Sequence, residues 1–215
     1  NWLILTLGSA FVYELKNQDM GGVVGTVAAN CHKVPANQFV HRMLSLKEAT
    51  ASLQRTIDAM RSVNTAIKIV FTISPVRHYR EGLIENNRSK STLHLAVQQM
   101  LLDNTETFYF PSYELIIDDF RDYRFYAEDL VHPNYAATQY VWEKFAAACI
   151  DEETNALMIQ LEQLRIGMLH RPHHPGSILH QKFLSSMFEK ATQLKNDFPF
   201  LNLDEELKYF ANEIA

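Results

Sequence analysis

The apolar positions of this chain fall into short runs that predict the strands of a parallel sheet. Residues 2–7 (WLILTL) and 67–74 (IKIVFTIS) are nearly continuous apolar runs, which are typical of strands buried on both faces. Residues 106–110 (ETFYF) predict a third strand, which Pro111 ends because proline cannot donate to a sheet ladder. Helical patterns separate the three strands, so we expect right-handed crossovers between parallel neighbours.

Amphipathic periodicity predicts the helices that connect these strands. Residues 45–63 carry apolar side chains at near-helical spacing, with Ser45 as the expected N-cap and Glu48 completing a capping box. Further helices are predicted over residues 89–103, 113–119 and about 134–149. We therefore expect an α/β fold with three α/β/α layers, flavodoxin-like in architecture, in which helices cover both faces of a parallel sheet.

Three segments that follow the strands are predicted to meet at one edge of the sheet. Residues 8–40 are expected to be irregular, with a short extended piece between Val24 and Ala29, because Gly and Pro interrupt them. Residues 75–88 are expected to form a polar loop, and residues 111–133 contain the third segment. The carboxyl ends of parallel strands share an edge, and ligands of open α/β sheets bind there.

The last third of the chain differs from the part before it. Residues 151–170, 177–195 and 203–214 are predicted to be helices, and no strand pattern occurs among them. We therefore expect two domains, an α/β domain over residues 1–150 and a helical C-terminal appendage over residues 151–215.

Composition limits the partners that this chain is expected to have. The sequence is 47% hydrophobic, which is typical of a globular protein, and its formal net charge of -5 with no basic stripe argues against nucleic acid. No apolar run approaches the roughly 20 residues of a membrane-spanning helix. The two cysteines, Cys31 and Cys149, are predicted to be reduced thiols, although their spacing leaves a disulfide open.

An aspartate and a histidine three positions apart are the strongest candidates for catalysis. Asp129 and His132 lie in the segment after the third strand, just before a helix that begins with Pro133. On a tight turn the carboxylate accepts a hydrogen bond from Nδ1–H, so that Nε2 is free to take a proton from a hydroxyl group. A surface turn without function is the alternative interpretation of so short a motif.

Four further residues are candidates for oxyanion or substrate binding. Gly8 follows the first strand directly and offers an uncovered N–H group, and the Asn30 amide is a suitable second donor to an oxyanion. Arg77 and His78 follow the second strand, where Arg77 is expected to bind an anionic substrate group or to pair with a carboxylate.

Other nucleophiles and a metal site are weaker alternatives. Ser9 lies after Gly8 without a nucleophile elbow around it, and adjacent residues such as Cys31 and His32 rarely have the geometry for base catalysis. Four histidines lie close together at positions 170, 173, 174 and 180, but no carboxylate or cysteine completes a zinc set at good spacing. We therefore predict no metal and no cofactor.

Several of these motifs together resemble the GSCFA family, a branch of the SGNH/GDSL hydrolases. The resemblance covers most of residues 3–150 and continues more weakly into the helical tail. The segments that carry it are LTLGSAFVYE (5–14), ANCHKVPANQF (29–39), FTISPVRH (71–78), NNRSKSTL (86–93), YFPSYELIIDDFRDYRFYAEDLVHP (109–133) and YVWEKF (140–145).

The resemblance implies a serine hydrolase mechanism on an α/β/α fold. In the superfamily a serine from a first block attacks an acyl carbon, a Gly and an Asn help to bind the oxyanion, and a D-x-x-H block supplies the base. Asp129 and His132 match that last block, and Gly8 matches the start of a block after a central strand. The GSCFA string that carries the serine does not occur here, and neither does the first strand. The expectation is therefore that the nucleophile lies upstream of residue 1.

The sequence predicts a serine esterase or acyl hydrolase that acts on an ester of a carbohydrate or small acyl substrate. The alternatives are a non-catalytic module that binds a carbohydrate or acyl ligand, and an assembly role for the helical tail. The expected partner is a small-molecule or carbohydrate ester, with no nucleic acid and no membrane, and the oligomeric state stays open.

Overall fold

The chain forms two compact units. The computed structural model describes residues 1–16, 23–28, 34–174 and 176–214. The first unit spans Asn1–Phe145 and the second spans Ala146–Ala215. No helix in the described part of the chain is both long and apolar enough to cross a membrane.

A parallel sheet organises the first unit. The described residues of this unit form five strands in all, which are β1 (Trp2–Leu7), β2 (Phe11–Leu15), β3 (Phe39–Met43), β4 (Lys68–Ile73) and β5 (Thr107–Phe110). Strands β1, β4 and β5 are parallel and lie in that order, with β4 in the middle. Five of the six residues of β4 are buried, as its continuous apolar run predicted. The predicted α/β class and the three parallel strands are therefore confirmed.

A second, antiparallel pair of strands corrects the prediction that residues 8–40 are irregular. Strand β2 pairs with β3 from Phe11↔Met43 to Leu15↔Phe39, and Val27 makes an isolated bridge to Glu14. The glycines and Pro35 that suggested a loop lie between these strands. Their pairing depends on contacts distant in sequence, which local breaker patterns do not reveal. Ala29, at the end of the predicted extended piece, lies outside the described residues.

Two long helices bury one face of the parallel sheet. Helix α1 (Leu46–Val63) begins at the predicted capping box, in which the Ser45 side chain accepts from the Glu48 N–H and the Glu48 carboxylate accepts from the Ser45 N–H. Helix α2 spans Leu83–Asp103, so the prediction of a loop through residue 88 was wrong for its first turns. The shared core contains Ile57, Ile69, Phe71, Ile73, Leu93, Val97 and Met100.

Shorter helical elements follow β5. Helix α3 (Ser112–Glu114) continues into a π-helical turn, Leu115–Asp119, and helix α4 spans Tyr135–Cys149. On the other face of the sheet, the ring of Phe110 packs edge-on against that of Phe145 in α4, with centroids 5.1 Å apart. Ile116, Tyr126 and Ala137 form a small separate core beneath the loop that carries the Asp–His motif.

The second unit is entirely helical in its described residues. It contains α5 (Glu152–Leu169), α6 (Ile178–Asp197) and α7 (Asp204–Ile214), and Asp151 and Ser177 cap the first two with their side chains. Its core contains Leu164, Leu184, Ala191, Leu194, Leu203 and Phe210. Gly167 lies so close to this core that an added Cβ would come within 3.3 Å of Phe210 and 3.2 Å of Met187.

Candidate active site

The segments that follow β1, β4 and β5 meet at the carboxyl edge of the sheet. Lys90 of α2 joins the first two, because its Nζ donates to the carbonyl oxygens of Gly8 and Ser74 at 2.6 Å each. The backbone N–H of Arg77 lies 3.5 Å from the carbonyl oxygen of Val131, which joins the segment after β4 to the loop after β5. This edge therefore brings together most of the residues that the sequence suggested.

The Asp129–His132 turn holds the two side chains in direct contact. His132 Nδ1 lies 2.6 Å from Asp129 Oδ2, while Asp129 Oδ1 accepts from the backbone N–H groups of Val131 and His132 at 2.9 and 3.0 Å. The side chains are 48% and 62% exposed for Asp129 and His132, so the imidazole is open to solvent. The arrangement fixes the ring by one nitrogen and leaves the other accessible.

The turn that carries Asp129 has a tight backbone conformation, and its hydrogen bonds favour an ionised carboxylate. The bonds from the N–H of His132, from the His132 ring and from the N–H of Val131 lower the pKa of Asp129 to about 2. Leu130, between the two partners, has a φ of 57°, in the left-handed region that costs a leucine about 1–2 kcal/mol. The turn is thus held in a tight conformation that brings carboxylate and imidazole together.

Gly8 and His78 lie beside each other near Lys90. A Cβ added at Gly8 would come 3.7 Å from His78 Nε2, and the His78 backbone N–H donates to Asn86 Oδ1 at 2.9 Å. Burial and the charge of nearby Lys90 lower the pKa of His78 below its ordinary value. His78 is therefore favoured in its neutral form, next to the glycine predicted as an oxyanion donor.

Arg77 packs between aromatic rings at the base of the Asp–His loop. Its guanidinium lies 4.4 Å from the ring centroid of Tyr126 and 5.0 Å from that of Tyr123. Nη1 donates to Tyr79 Oη at 3.2 Å and approaches the Leu130 carbonyl oxygen at 3.5 Å. No carboxylate of the described chain pairs with Arg77, so of the two roles predicted for it, pairing with a carboxylate has no support here.

The remaining sequence candidates that the structure describes are not brought to the Asp–His pair. Asn30 and Cys31 lie outside the described residues. Ser9 Oγ contacts Ser89 Oγ at 3.3 Å and accepts from the Phe11 N–H at 3.1 Å. The rings of His170 and His180 lie 5.9 Å apart in a tilted arrangement. The described residues contain no group of three or more His, Cys, Asp or Glu suited to a metal ion.

Sequence reasoning missed two adjacent residues of α2 that organise this edge. Ser89 Oγ accepts from the Ala10 N–H at 2.7 Å, and Lys90, although 2% exposed, has no carboxylate partner in the described structure. Burial lowers the pKa of Lys90 to about 8. Lys90 precedes Leu93 and Val97 at helical spacing, so a lysine on the inward face of α2 was the observation that could have revealed it.

An apolar cavity lies next to the Asp–His turn. It has a volume of about 230 Å³ and is lined by Pro75, Val76, Ser112, Ile116, Pro133, Thr138 and Val141. Pro133 follows His132 directly, and Pro75 and Val76 follow the central strand. A space of this size and polarity suits a short hydrocarbon group.

Family models match both parts of the chain. The model described as "GSCFA family" matches residues 1–145, and the one described as "GSCFA domain protein, C-terminal domain" matches residues 161–215. No curated protein and no solved structure matches the chain. The first match covers more than half of the sequence and contains Asp129, His132 and the four candidates for oxyanion or substrate binding. The chain therefore belongs to the GSCFA family, as its motifs predicted.

Proposed function

We propose that this chain carries the base and its orienting carboxylate of an SGNH-type serine esterase or acyl hydrolase. In this mechanism His132 Nε2 accepts the proton of a serine hydroxyl as the oxygen attacks an acyl carbon. The same nitrogen then returns the proton to the leaving alcohol. Asp129 keeps the ring in the tautomer with Nδ1–H and stabilises the imidazolium that forms. The observation that carries the proposal is the 2.6 Å contact between Asp129 Oδ2 and His132 Nδ1 on an exposed ring.

The serine in this mechanism is the one that the family signature carries. No hydroxyl group of the described chain lies within hydrogen-bond distance of His132, whose ring contacts Asp129. Gly8, with Asn30 as the second expected donor, is assigned to the oxyanion. Removing one such donor typically lowers kcat by about 100- to 1000-fold. The three-layer SGNH arrangement and the division at residue 150 belong to the same proposal.

The apolar cavity beside Pro133 suggests where an acyl group binds. At about 230 Å³ it lies below the range of about 300–1,000 Å³ typical of drug-sized ligands. Its walls contain two hydroxyl groups, of Ser112 and Thr138, among otherwise apolar side chains, and both bond to backbone carbonyl oxygens. We therefore assign short acyl groups, rather than long fatty chains, to this site.

The first experiment tests the proposed base in this chain of 215 residues. ¹⁵N NMR of the histidine rings is expected to show that the neutral imidazole of His132 carries its proton on Nδ1 and leaves Nε2 bare. In an Asp129→Asn variant this tautomer preference should be lost, while His173, which is exposed in the second unit, should be unchanged. A proton on Nε2 of His132 in the parent would contradict the proposal.

The second experiment tests turnover. The chain is joined to a segment that bears the serine of the GSCFA signature and is assayed on p-nitrophenyl acetate and butyrate. His132→Ala is expected to lower kcat about 100- to 10,000-fold, the range of a general base, whereas the matched His173→Ala should leave kcat unchanged. Equal activity of the two variants would eliminate the mechanism. Saturable ester binding without turnover would favour the non-catalytic module instead.

A further inference from the structure

A second cavity lies beside the Asp–His loop and differs in character from the apolar one. It has a volume of about 280 Å³ and is lined by Arg77, Ile116, Ile117, Phe120, Arg121, Asp122, Tyr123 and Tyr126. Ile116 lines both cavities, so they are neighbours. The charged and aromatic wall of this second cavity calls for a different ligand group.

Most of the charges on this wall are already paired. Arg121 binds Asp118 at 3.1 Å, and Asp122 binds Arg124 at 3.0 Å. Arg77 is the exception, because both of its described hydrogen bonds leave from Nη1 and neither reaches a charged group. The guanidinium has five donors in a fixed plane, and stacking on Tyr123 and Tyr126 keeps that plane oriented. The cavity therefore has one uncompensated, half-buried positive charge.

The hydroxyl group of Tyr126 is also without a partner. Tyr126 is 7% exposed, and its Oη has no hydrogen-bond partner in the described structure. Buried hydroxyl groups in native proteins normally have a hydrogen-bond partner because an unpaired one is costly, so this unpaired oxygen calls for an explanation such as a bound ligand. Tyr126 and Arg77 both line this cavity, and the Arg77 guanidinium lies 4.4 Å from the centroid of the Tyr126 ring.

We infer that this cavity binds a carboxylate group, with Arg77 and Tyr126 as its donors. A carboxylate is planar and matches the two parallel donors of a guanidinium, and its remaining lone pairs accept from a phenol. One anionic charge balances Arg77, and the small volume suits the end of a short aliphatic acid rather than a sugar ring.

This inference rests on the proposed function for its consequence on the substrate. If His132 is the base of an esterase, the preferred ester carries a free carboxylate in addition to its scissile bond. The leading class is the half-ester of a short dicarboxylic acid, whose charged end lies in the cavity of Arg77 while the ester carbonyl faces His132. Neutral acyl esters then lack the interaction with Arg77.

Binding of glutarate to this chain tests the site without any turnover. Glutarate is titrated into ¹⁵N-labelled protein and compared with glutaramide, its neutral isostere. We expect glutarate to shift the Tyr126 and Arg77 resonances saturably, and glutaramide to bind at least 10-fold more weakly. Equal affinity for both compounds, or no saturable shift with glutarate, would overturn the inference.

Tyr126→Phe is the decisive variant because it removes only the unpaired oxygen. Its thermal midpoint should be equal to or above that of the parent, since no internal hydrogen bond is lost, while glutarate affinity should fall about 10-fold. Arg77→Lys keeps the charge but not the paired donors, and should also weaken binding. Tyr135→Phe, at an exposed tyrosine outside the cavity, is the matched control and should bind as the parent does. Unchanged glutarate affinity in Tyr126→Phe would refute the role of the hydroxyl.

The two proposals fail in distinguishable ways. Glutarate binding with no esterase activity in the serine-bearing protein would contradict the hydrolase mechanism and support the carboxylate site. Hydrolysis of p-nitrophenyl acetate without a preference for mono-p-nitrophenyl glutarate, together with no glutarate binding, would support the hydrolase mechanism and contradict the carboxylate site.

Discussion

At the scale of single residues, Asp129 divides its two carboxylate oxygens between two tasks. Oδ1 accepts from two backbone N–H groups and fixes the carboxylate to its own turn, whereas Oδ2 contacts the imidazole. Because the backbone bonds fix the carboxylate, the contact with Oδ2 restricts the orientation of the imidazole ring. A carboxylate that is itself held in place can orient an imidazole, whereas a chance contact between two mobile side chains cannot.

The acid titration of Asp129 is a direct consequence of these bonds. Because the folded pKa of about 2 lies below the ordinary value near 4, the carboxylate stabilises the fold above pH 4, and this contribution is lost as pH falls towards 2. The ¹³C shift of the carboxyl carbon should therefore titrate with a midpoint near 2.

His132→Ala provides the control for that titration. The variant removes the ring bond but keeps the backbone N–H groups, so the Asp129 midpoint should rise without reaching the ordinary value. A midpoint near 4 in the parent would show that the carboxylate is not bound as described.

Single residues also show where sequence reasoning succeeds and where it stops. The Asp129–His132 contact was predictable because three residues of one turn bring the partners together. Lys90, Tyr126 and Arg77 acquire their surroundings from segments far apart in the chain. The sequence proposed two roles for Arg77, and only a three-dimensional arrangement distinguishes between them.

At the scale of elements, α2 reaches beneath the site through Lys90 and joins the ends of β1 and β4. The folded protein releases the Lys90 proton near pH 8, whereas the unfolded chain holds it until about 10.5. Between these values the unfolded state binds more protons, so the free energy of unfolding gains a term that increases with pH. In Lys90→Met this term is absent.

The prediction for Lys90 is a difference between two pH profiles. The stability of the parent minus that of Lys90→Met, measured by urea unfolding, should increase from pH 8 to 10.5. Lys47→Met, at an exposed lysine, is the matched control, and the change over this range for Lys90→Met should exceed the change for Lys47→Met. A flat profile for Lys90→Met would mean that Lys90 keeps an ordinary pKa.

The capping box of α1 supports a second prediction at this scale. Ser45 Oγ accepts from the Glu48 N–H at 3.3 Å and donates to Glu48 Oε2 at 2.7 Å. Ser45→Ala removes both bonds and should lower the free energy of unfolding by about 1 kcal/mol, within the usual 0.5–2 kcal/mol for an N-cap. Ser62→Ala, near the other end of the same helix, should change it by less than about 0.5 kcal/mol. Equal effects of the two substitutions would contradict the importance of the cap.

The elements differ in how far the sequence determines them. Helix α1 and the central strand were predicted because capping residues and apolar periodicity are local. Strands β2 and β3 were missed because each becomes a strand through its partner. The start of α2 was missed because residues 85–88 are all polar and because the helix follows Gly82, which has a φ of 84° and gives no side-chain cap.

At the scale of the whole molecule, each unit has its own core. The core of the second unit leaves no room at Gly167, where an added side chain would meet Met187 and the fully buried Phe210. Gly167→Val should therefore destabilise this unit by about 1–3 kcal/mol through overpacking. Faster hydrogen exchange in α6 and α7 would report it.

Ser186→Val provides the control for this prediction, because it places the same β-branched side chain on an exposed position of α6. It should change exchange in α6 and α7 much less than Gly167→Val does. Equal protection in the two variants would show that the core tolerates a larger residue at position 167.

Tyr126 connects the cavity that it lines with Arg77 to the backbone that carries His132. It forms an isolated bridge with Pro133, and its neighbours Phe125 and Ala127 are hydrogen-bonded to Asn134 and His132. A ligand that moves the Tyr126 ring is therefore expected to move the backbone that carries His132. The ring resonances of His132 should consequently change when a ligand occupies this cavity, although His132 is not among the residues that line it.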